Sequence, residues 1–334
     1  MRAAVMQGLH KPLTVESIAD PRPAPGEVVL RVARCGICGS DLHMTEDPMF
    51  GMGAGDVLGH EFAGEVVEAN AAEGLKPGDL VSVIPIRGCG RCASCRAGEP
   101  AWCAEMALQG GGYAEYATAR AHQCVPLPAG LSLADGAIIE PVAVALHGVN
   151  LAGLEPGAKV LILGAGPIGL AVAFWARRAG ASAVIVQDIA DWQRERAMEM
   201  GATGFIVDRD DPVGAAERAL GGKADVVFEC VGVPGLIAQA VDQVRVKGTV
   251  LVLGLCTRPD SFIPFTALSK EVRIQTSAFF TTREYRRSLD VLEAGAAEPR
   301  ALVTGTIGLD EVPERFESLR TRTHDCKVLI APGG

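Results

Sequence analysis

From Val160 to Ala278 the chain alternates short, apolar, β-branched runs with amphipathic stretches. The runs are Val160–Leu163, Ala183–Gln187, Gly204–Val207, Asp225–Glu229, Thr249–Leu253 and Val272–Thr276. Near-continuous apolar runs of this length suit strands covered on both faces, as in a parallel sheet. The intervening Ile168–Ala179, Trp192–Met200, Pro212–Leu220 and Leu236–Val244, with a weaker segment at Pro264–Ser269, have the length of crossover helices. The pattern therefore predicts an α/β domain, residues 142–278, with a doubly wound six-stranded parallel sheet able to bind a nucleotide.

Residues 1–141 lack that rhythm. Short strand-like pieces (Val28–Val32, Phe62–Val67, Leu80–Ile84, Tyr113–Thr118) are separated by turns such as Lys76-Pro77-Gly78-Asp79, which predicts a compact antiparallel barrel. Beyond residue 278 the pattern predicts a helix at Arg283–Glu293, a strand at Leu302–Ile307, a helix at Glu311–Leu319 and a strand at Lys327–Ile330. These are too few to form a core alone. Residues 279–334 are accordingly expected to return to the first domain, leaving the nucleotide domain as an insertion.

A length of 334 residues agrees with two domains at roughly 100 to 200 residues each. A hydrophobic content of 49% with 21% charged residues excludes disorder, and 40 Gly with 20 Pro fit a turn-rich fold. The net charge of −9 disfavours phosphate backbones and anionic membranes, so no nucleic acid and no membrane is expected as a partner. No apolar run reaches the roughly 18 to 20 residues of a membrane span, and Met1-Arg2-Ala3-Ala4-Val5 does not open an apolar signal region. A cytoplasmic location is expected. It changes the meaning of the ten cysteines, because clustered thiols in a reducing compartment are metal ligands more often than disulfides.

Three constellations carry chemistry. Gly164-Ala165-Gly166-Pro167-Ile168-Gly169 follows an apolar strand and opens a helix, where the glycines permit a tight turn, approach of a pyrophosphate, and close helix–sheet packing. Asp188 ends the next predicted strand, 19 residues after Gly169, where a carboxylate can accept from both ribose hydroxyls and repel a 2′-phosphate. This favours NAD over NADP. Cys230 with Val231, and Leu253 with Gly254, end later strands and are further candidate cofactor contacts. The second constellation is Cys89, Cys92, Cys95 and Cys103, four thiols within 15 residues in a glycine-containing loop. Four thiolates fill the coordination shell of zinc and leave no open position, so this site is expected to be structural. The third is dispersed: Cys35 and Cys38 with Ser40, Asp41 and His43, then His60-Glu61, then Glu140-Pro141. Together they offer thiolate, imidazole and carboxylate, a set suited to a second zinc with one position open.

The combination of CGICGSDLH, GHE, the four-cysteine loop and GAGPIG, in that order over essentially the whole chain, resembles the zinc-dependent medium-chain dehydrogenase family. The resemblance implies a GroES-like barrel as catalytic domain and a Rossmann domain for NAD, with two zinc ions per chain. It implies that Cys38, not Cys35, and His60 hold the catalytic zinc, with Cys35 a packed core thiol. The third protein ligand is Glu61 or Glu140, since the Glu140-Pro141 pair is similar to the polyol, sugar and butanediol dehydrogenase branches rather than to members with a cysteine there. Relatives often carry a basic residue just beyond the ribose-binding Asp, whereas here Gln193 precedes Arg194. Cys124, Cys256 and Cys326 are expected to be core thiols, and His122 and His147 structural.

An alcohol at the open zinc position would lose its proton readily, and its carbinol hydride would pass to the nicotinamide, which places metal and glycine loop at one cleft. By resemblance Ser40 takes the proton and passes it through the nicotinamide ribose towards His43. Met44, Met49 and Met52 with Phe279-Phe280 suggest an apolar pocket for a secondary alcohol and its ketone; the Glu140-Pro141 resemblance pulls towards polyols, sugars, vicinal diols or threonine. The rival from another class is a zinc- and NAD-binding redox sensor without turnover. Edge strands of the nucleotide domain offer a contact for a homodimer or homotetramer.

Overall fold

The computed structural model describes residues 1–72, 74–321 and 324–333. Its strands are β1 (Arg2–Val5), β2 (Thr14–Ser17), β3 (Glu27–Gly36), β4 (Glu61–Asn70), β5 (Leu80–Val83), β6 (Ile86–Arg87), β7 (Ala107–Leu108), β8 (Tyr116–Arg120) and β9 (Cys124–Pro126). There follow β10 (Lys159–Leu163), β11 (Ala183–Gln187), β12 (Gly204–Ile206), β13 (Ala224–Glu229), β14 (Val244–Val252), β15 (Arg273–Thr276), β16 (Val303–Ile307) and β17 (Lys327–Ile330). The helices are α1 (Gly39–Met44), α2 (Ala93–Arg96), α3 (Leu133–Ala152), α4 (Pro167–Arg178), α5 (Arg194–Glu199), α6 (Pro212–Leu220), α7 (Leu236–Gln243), α8 (Pro264–Leu268), α9 (Thr282–Glu293) and α10 (Val312–Ser318).

The chain forms two compact units: Met1–Glu140 with Thr281–Ala296 and Val303–Gly334, and Pro141–Phe280 with Ala297–Leu302. In the first, a seven-stranded sheet runs β16-β17-β3-β4-β5-β9, with β8 also on β3. Strand β3 can hold three partners because β8 pairs its first half, β17 its last two residues, and β4 its other edge. Bulges after Val29 and Val32 bend it as barrel closure requires. Its inward residues Val28, Leu30, Val32 and Cys35 meet Phe62 and Ile330 in one core. The tail is thus a partner of the barrel through β17, although β16 and β17 are themselves parallel.

The second unit is a six-stranded sheet in the order β12-β11-β10-β13-β14-β15, every pair parallel. The order reverses at β10/β13, the position at which open sheets of this kind bind ligands. Register aligns the strand ends: Leu163 lies opposite Gln187 on one side and Glu229 on the other, and Glu229 opposite Val252. Helix α4 starts with Pro at its first turn, where the missing N–H is harmless, and buries Leu170, Val172, Phe174 and Trp175.

Two expectations need correction. Cys256 is exposed and Cys326 half-buried, so neither is a core thiol; Cys256 lies in the loop past the end of β14, where no layer covers it. Helix α3 runs for 20 residues straight through Pro141, a residue that removes a backbone donor from a helix interior. Among the described residues no helix is long and apolar enough to cross a membrane.

Candidate metal centres and dinucleotide loop

Cys38 stands immediately before α1, held there because its N–H donates to Asp41 Oδ2 at 3.0 Å. His60 stands just before β4 and Glu61 opens it, after Gly59, whose φ of +87° and contact with the Tyr113 ring leave no room for a Cβ. One ligand atom from each of Cys38, His60 and Glu61 lies within 4.8 Å of the other two. Glu140 is buried but outside this mutually close group. Ser40 Oγ donates to Cys38 Sγ at 3.2 Å, and His43 follows three residues on along α1, so the two share a helix face.

The surroundings prepare these groups. Asp41 is fully buried; its Oδ1 faces His60 Nδ1 at 3.2 Å and its Oδ2 accepts from Tyr113 OH at 2.6 Å. Burial pulls His60 towards the neutral form, but the Asp41 carboxylate outweighs it and holds the imidazole well above its ordinary range. The same pairing, with the bonds from Tyr113 and Cys38, keeps Asp41 below the usual carboxylate range although burial opposes it. With Nδ1 turned to Asp41, Nε2 is left to face a metal. Lys327 is buried beside Glu61: its Nζ donates to Oε1 at 2.7 Å and to the Ile37 carbonyl at 3.0 Å. Nζ is 2.7 Å from Oε2 too, but without hydrogen-bonding geometry, and Oε2 is left as a buried oxygen with no donor. Burial works against the charge on Lys327, and Glu61 overcomes it, raising the ammonium's pKa. Burial pushes Glu140 up to about 7, opposed by His60 and reinforced by Glu61.

A thiolate, an imidazole oriented by a carboxylate and an undonated carboxylate oxygen within one small radius fit a zinc ion, with Cys38, His60 and Glu61 as the protein donors. Sequence reasoning missed the roles of Asp41, Tyr113 and Lys327. For Lys327 a signal existed, a lone cation opening the apolar strand Lys-Val-Leu-Ile.

The sulfurs of Cys89, Cys92, Cys95 and Cys103 also lie within 4.8 Å of one another. Backbone amides point at them: Cys92 N to Cys89 Sγ and Cys95 N to Cys92 Sγ at 3.4 Å, Glu105 N to Cys103 Sγ at 3.3 Å. N–H donors of Arg91 and Cys92 lower the Cys89 thiol to about 6, while burial raises Cys95 to about 12. The donor set fits an all-thiolate zinc.

At the C-terminal edge of the parallel sheet, Gly164 adopts φ +97° and Gly169 packs so closely that a Cβ there would lie 2.0 Å from the Gly164 carbonyl. A Cβ on Gly166 would meet nothing within 4 Å, leaving its face open for a phosphate, and Pro167-Ile168 begin α4. Asp188 follows β11; Oδ2 accepts from Ala165 N at 2.7 Å and Oδ1 from Ile189 N at 2.6 Å, which ties the ribose-binding candidate to the glycine turn. Cys230 N bonds the Leu163 carbonyl and Leu253 N the Glu229 carbonyl, so both residues reach the same edge. Val231 belongs there too, and the Glu229 carboxylate, unassigned from sequence, accepts from Val231 N and Gly232 N at 2.7 and 2.9 Å. Cys230 is half-buried, and desolvation pushes its thiol well up.

Residues 24–129 match the alcohol dehydrogenase GroES-like domain and residues 167–294 the zinc-binding dehydrogenase domain. D-xylulose reductase A of Aspergillus niger is 31% identical over 353 residues, covering 98% of this chain and 95% of that protein. Two solved structures are similar throughout. The 2R,3R-butanediol dehydrogenase of Bacillus subtilis is 30% identical with a TM-score of 0.87, covering 99% of each chain. A zinc-binding dehydrogenase target from Sinorhizobium meliloti 1021 bound to NADP is 33% identical with a TM-score of 0.88, again covering 99% of each. A GroES-like domain joined to a Rossmann-like six-stranded sheet defines an oxidoreductase. The chain belongs to the zinc-type medium-chain dehydrogenase family, whose polyol and butanediol members it resembles.

Proposed function

We propose that this protein oxidises a secondary alcohol to its ketone, reversibly, with NAD as hydride acceptor and zinc held by Cys38, His60 and Glu61. The observation that carries the reading is the convergence of those three donors, with Glu61 Oε2 left without a hydrogen bond although Lys327 Nζ stands 2.7 Å away. Zinc bound there supplies Lewis acidity that makes a substrate hydroxyl easier to deprotonate. The chain's own residues do the rest. Asp41 fixes the His60 ring, and Lys327 pairs with Glu61 and orients it. Ser40 Oγ takes the substrate proton, and His43, one turn further along α1, releases it to solvent. Glu140, buried with a raised pKa, stands as a reserve proton carrier and alternative third donor. Cys89, Cys92, Cys95 and Cys103 hold a second, structural zinc. Asp188 selects NAD by repelling a 2′-phosphate, although a structural relative is bound to NADP.

A second reading narrows the substrate to a carbinol within a vicinal diol or polyol. It is favoured by the names of the relatives and by the position of Met49, which is largely exposed and so does not contribute the apolar lining expected of it. Metal analysis with and without a chelator, coupled to NAD reduction on simple secondary alcohols, vicinal diols and polyols, tests both. Two zinc ions per chain and turnover on one of these classes are expected; no NAD reduction on any of them by the zinc-loaded protein would leave the sensor reading in possession. We propose a soluble cytoplasmic homodimer or homotetramer, with β15 as the edge available to a second copy.

A further inference from the structure

We infer that the barrel unit carries an anion site, separate from both metal centres, that takes a small molecule through a phosphate group. A cavity of about 540 Å³ lies between the loop that follows the four-cysteine helix α2 and helix α9. Arg96 lines one wall; Arg283, Arg286 and Arg287 line the other, with Asp290 at the rim.

Three features set this cluster apart from an ordinary solvated helix face. Arg283, Arg286 and Arg287 stand at i, i+3 and i+4 on α9, the spacing at which like charges meet and repel. Arg283 also lies in the first turn, the positive end of the helix, where a cation is unfavourable. None of the three has an ion pair or hydrogen bond among the described residues, although Arg96 bonds the Arg91 carbonyl. The three arginines are exposed, and along the cavity the chain sets only Asp290, at i+4 from Arg286 and i+3 from Arg287, against four guanidiniums, which leaves a local excess of positive charge in a chain of net charge −9. The walls are held together by backbone: Thr282 N donates to the Gly98 carbonyl at 2.8 Å, and a Cβ on Gly98 would lie 2.7 Å from Thr282 Oγ1. Gly98 itself has φ +80°. The two walls are therefore tied through the main chain, while the arginine side chains line the space between them.

Planar guanidiniums bind phosphate oxygens in paired hydrogen bonds, and several converging on one cavity prefer a dianion to a carboxylate or a halide. The volume suits a small phosphorylated metabolite. Asp290 works against any anion, so its removal strengthens the site.

Calorimetric titration of the zinc-loaded protein with inorganic phosphate, NADH present in excess to fill the glycine-loop site, is the test. Saturable one-to-one binding is expected, weakened about tenfold or more in the double variant Arg286→Gln/Arg287→Gln. Arg96→Gln, on the opposite wall, is expected to weaken it several-fold, which covers the case in which the double variant does not fold. Asp290→Asn is expected to tighten it. Absence of saturable binding, equal heats with chloride, or an affinity unchanged in both the Arg286/Arg287 and Arg96 variants would overturn the proposal. So would a salt-sensitive oligomer that dissociates on Arg286/Arg287 replacement without any phosphate binding, which would assign the patch to an acidic face of another copy.

Discussion

The two candidate metal centres share the barrel unit and nothing else in their construction. Cys89, Cys92, Cys95 and Cys103 come from one loop, are chemically uniform, and accept from amides two or three residues away. Cys38, His60 and Glu61 come from a helix start and a strand, and depend on Asp41, Tyr113 and Lys327 for orientation and charge. Lys327 is 266 residues from the carboxylate it pairs with. A closed structural site needs only spacing; a site with an open position needs buried charges whose partners keep it from collapsing.

The largest expected effect separates the two directly. Cys38→Ala should reduce turnover by about three orders of magnitude or more while NADH binding, followed by fluorescence, persists; Cys103→Ala should instead lower the melting temperature and lose one of two zinc ions. Near-normal rates in Cys38→Ala would end the catalytic assignment. Next is the charge behind Glu61. Lys327→Met leaves a buried carboxylate unpaired and should destabilise the metal-free protein by about 3 to 5 kcal/mol in denaturant titration, with a smaller loss when zinc is bound and can take the carboxylate. Equal losses in both forms would show that Glu61 does not reach the metal.

The titration of Glu140 gives a third, pH-dependent contrast. Its folded-state pKa, about 7, lies above its ordinary value of 4.5. The folded, metal-free protein therefore keeps a proton that the unfolded chain has released, and this contribution to stability is complete below pH 4.5 and disappears as pH rises through 7. Relative to Glu140→Gln, the metal-free wild type should lose a few kcal/mol across that window. Parallel stability curves would contradict the buried, raised state. The smallest effect lies in the other unit. Asp188→Ala should weaken NAD about tenfold and narrow its advantage over NADP, and unchanged coenzyme preference would discredit the ribose role.

What could be read from the chain follows the same division between local and distant. The parallel sheet was legible because each strand is a continuous apolar run, and the predicted Ala183–Gln187 and Pro212–Leu220 coincide with β11 and α6. The four-cysteine and glycine motifs are local, so spacing alone announces them. Barrel strands were read short: β3 reaches Gly36 and β4 begins at Glu61, because bulges break the alternation on which the reading depends. The hairpin β1–β2 was not anticipated, and the run of α3 through Pro141 contradicts local preference and is sustained by burial of Ile138, Ile139, Val142 and Ala143. Asp41, Tyr113 and Lys327 were invisible as a group because only the fold brings them together, and Glu229 because its partners are main-chain amides.

The long sequence separation between Glu61 and Lys327 also orders events during synthesis. A growing chain possesses all four sulfurs of the cysteine loop when a third of it has been made, so every proposed donor of the structural site is present before the later elements are synthesised. The pocket at Cys38 acquires its neutralising ammonium only when β17 is added along β3, so the reactive centre is completed after the scaffold beside it, and its electrostatics mature with the last strand to dock.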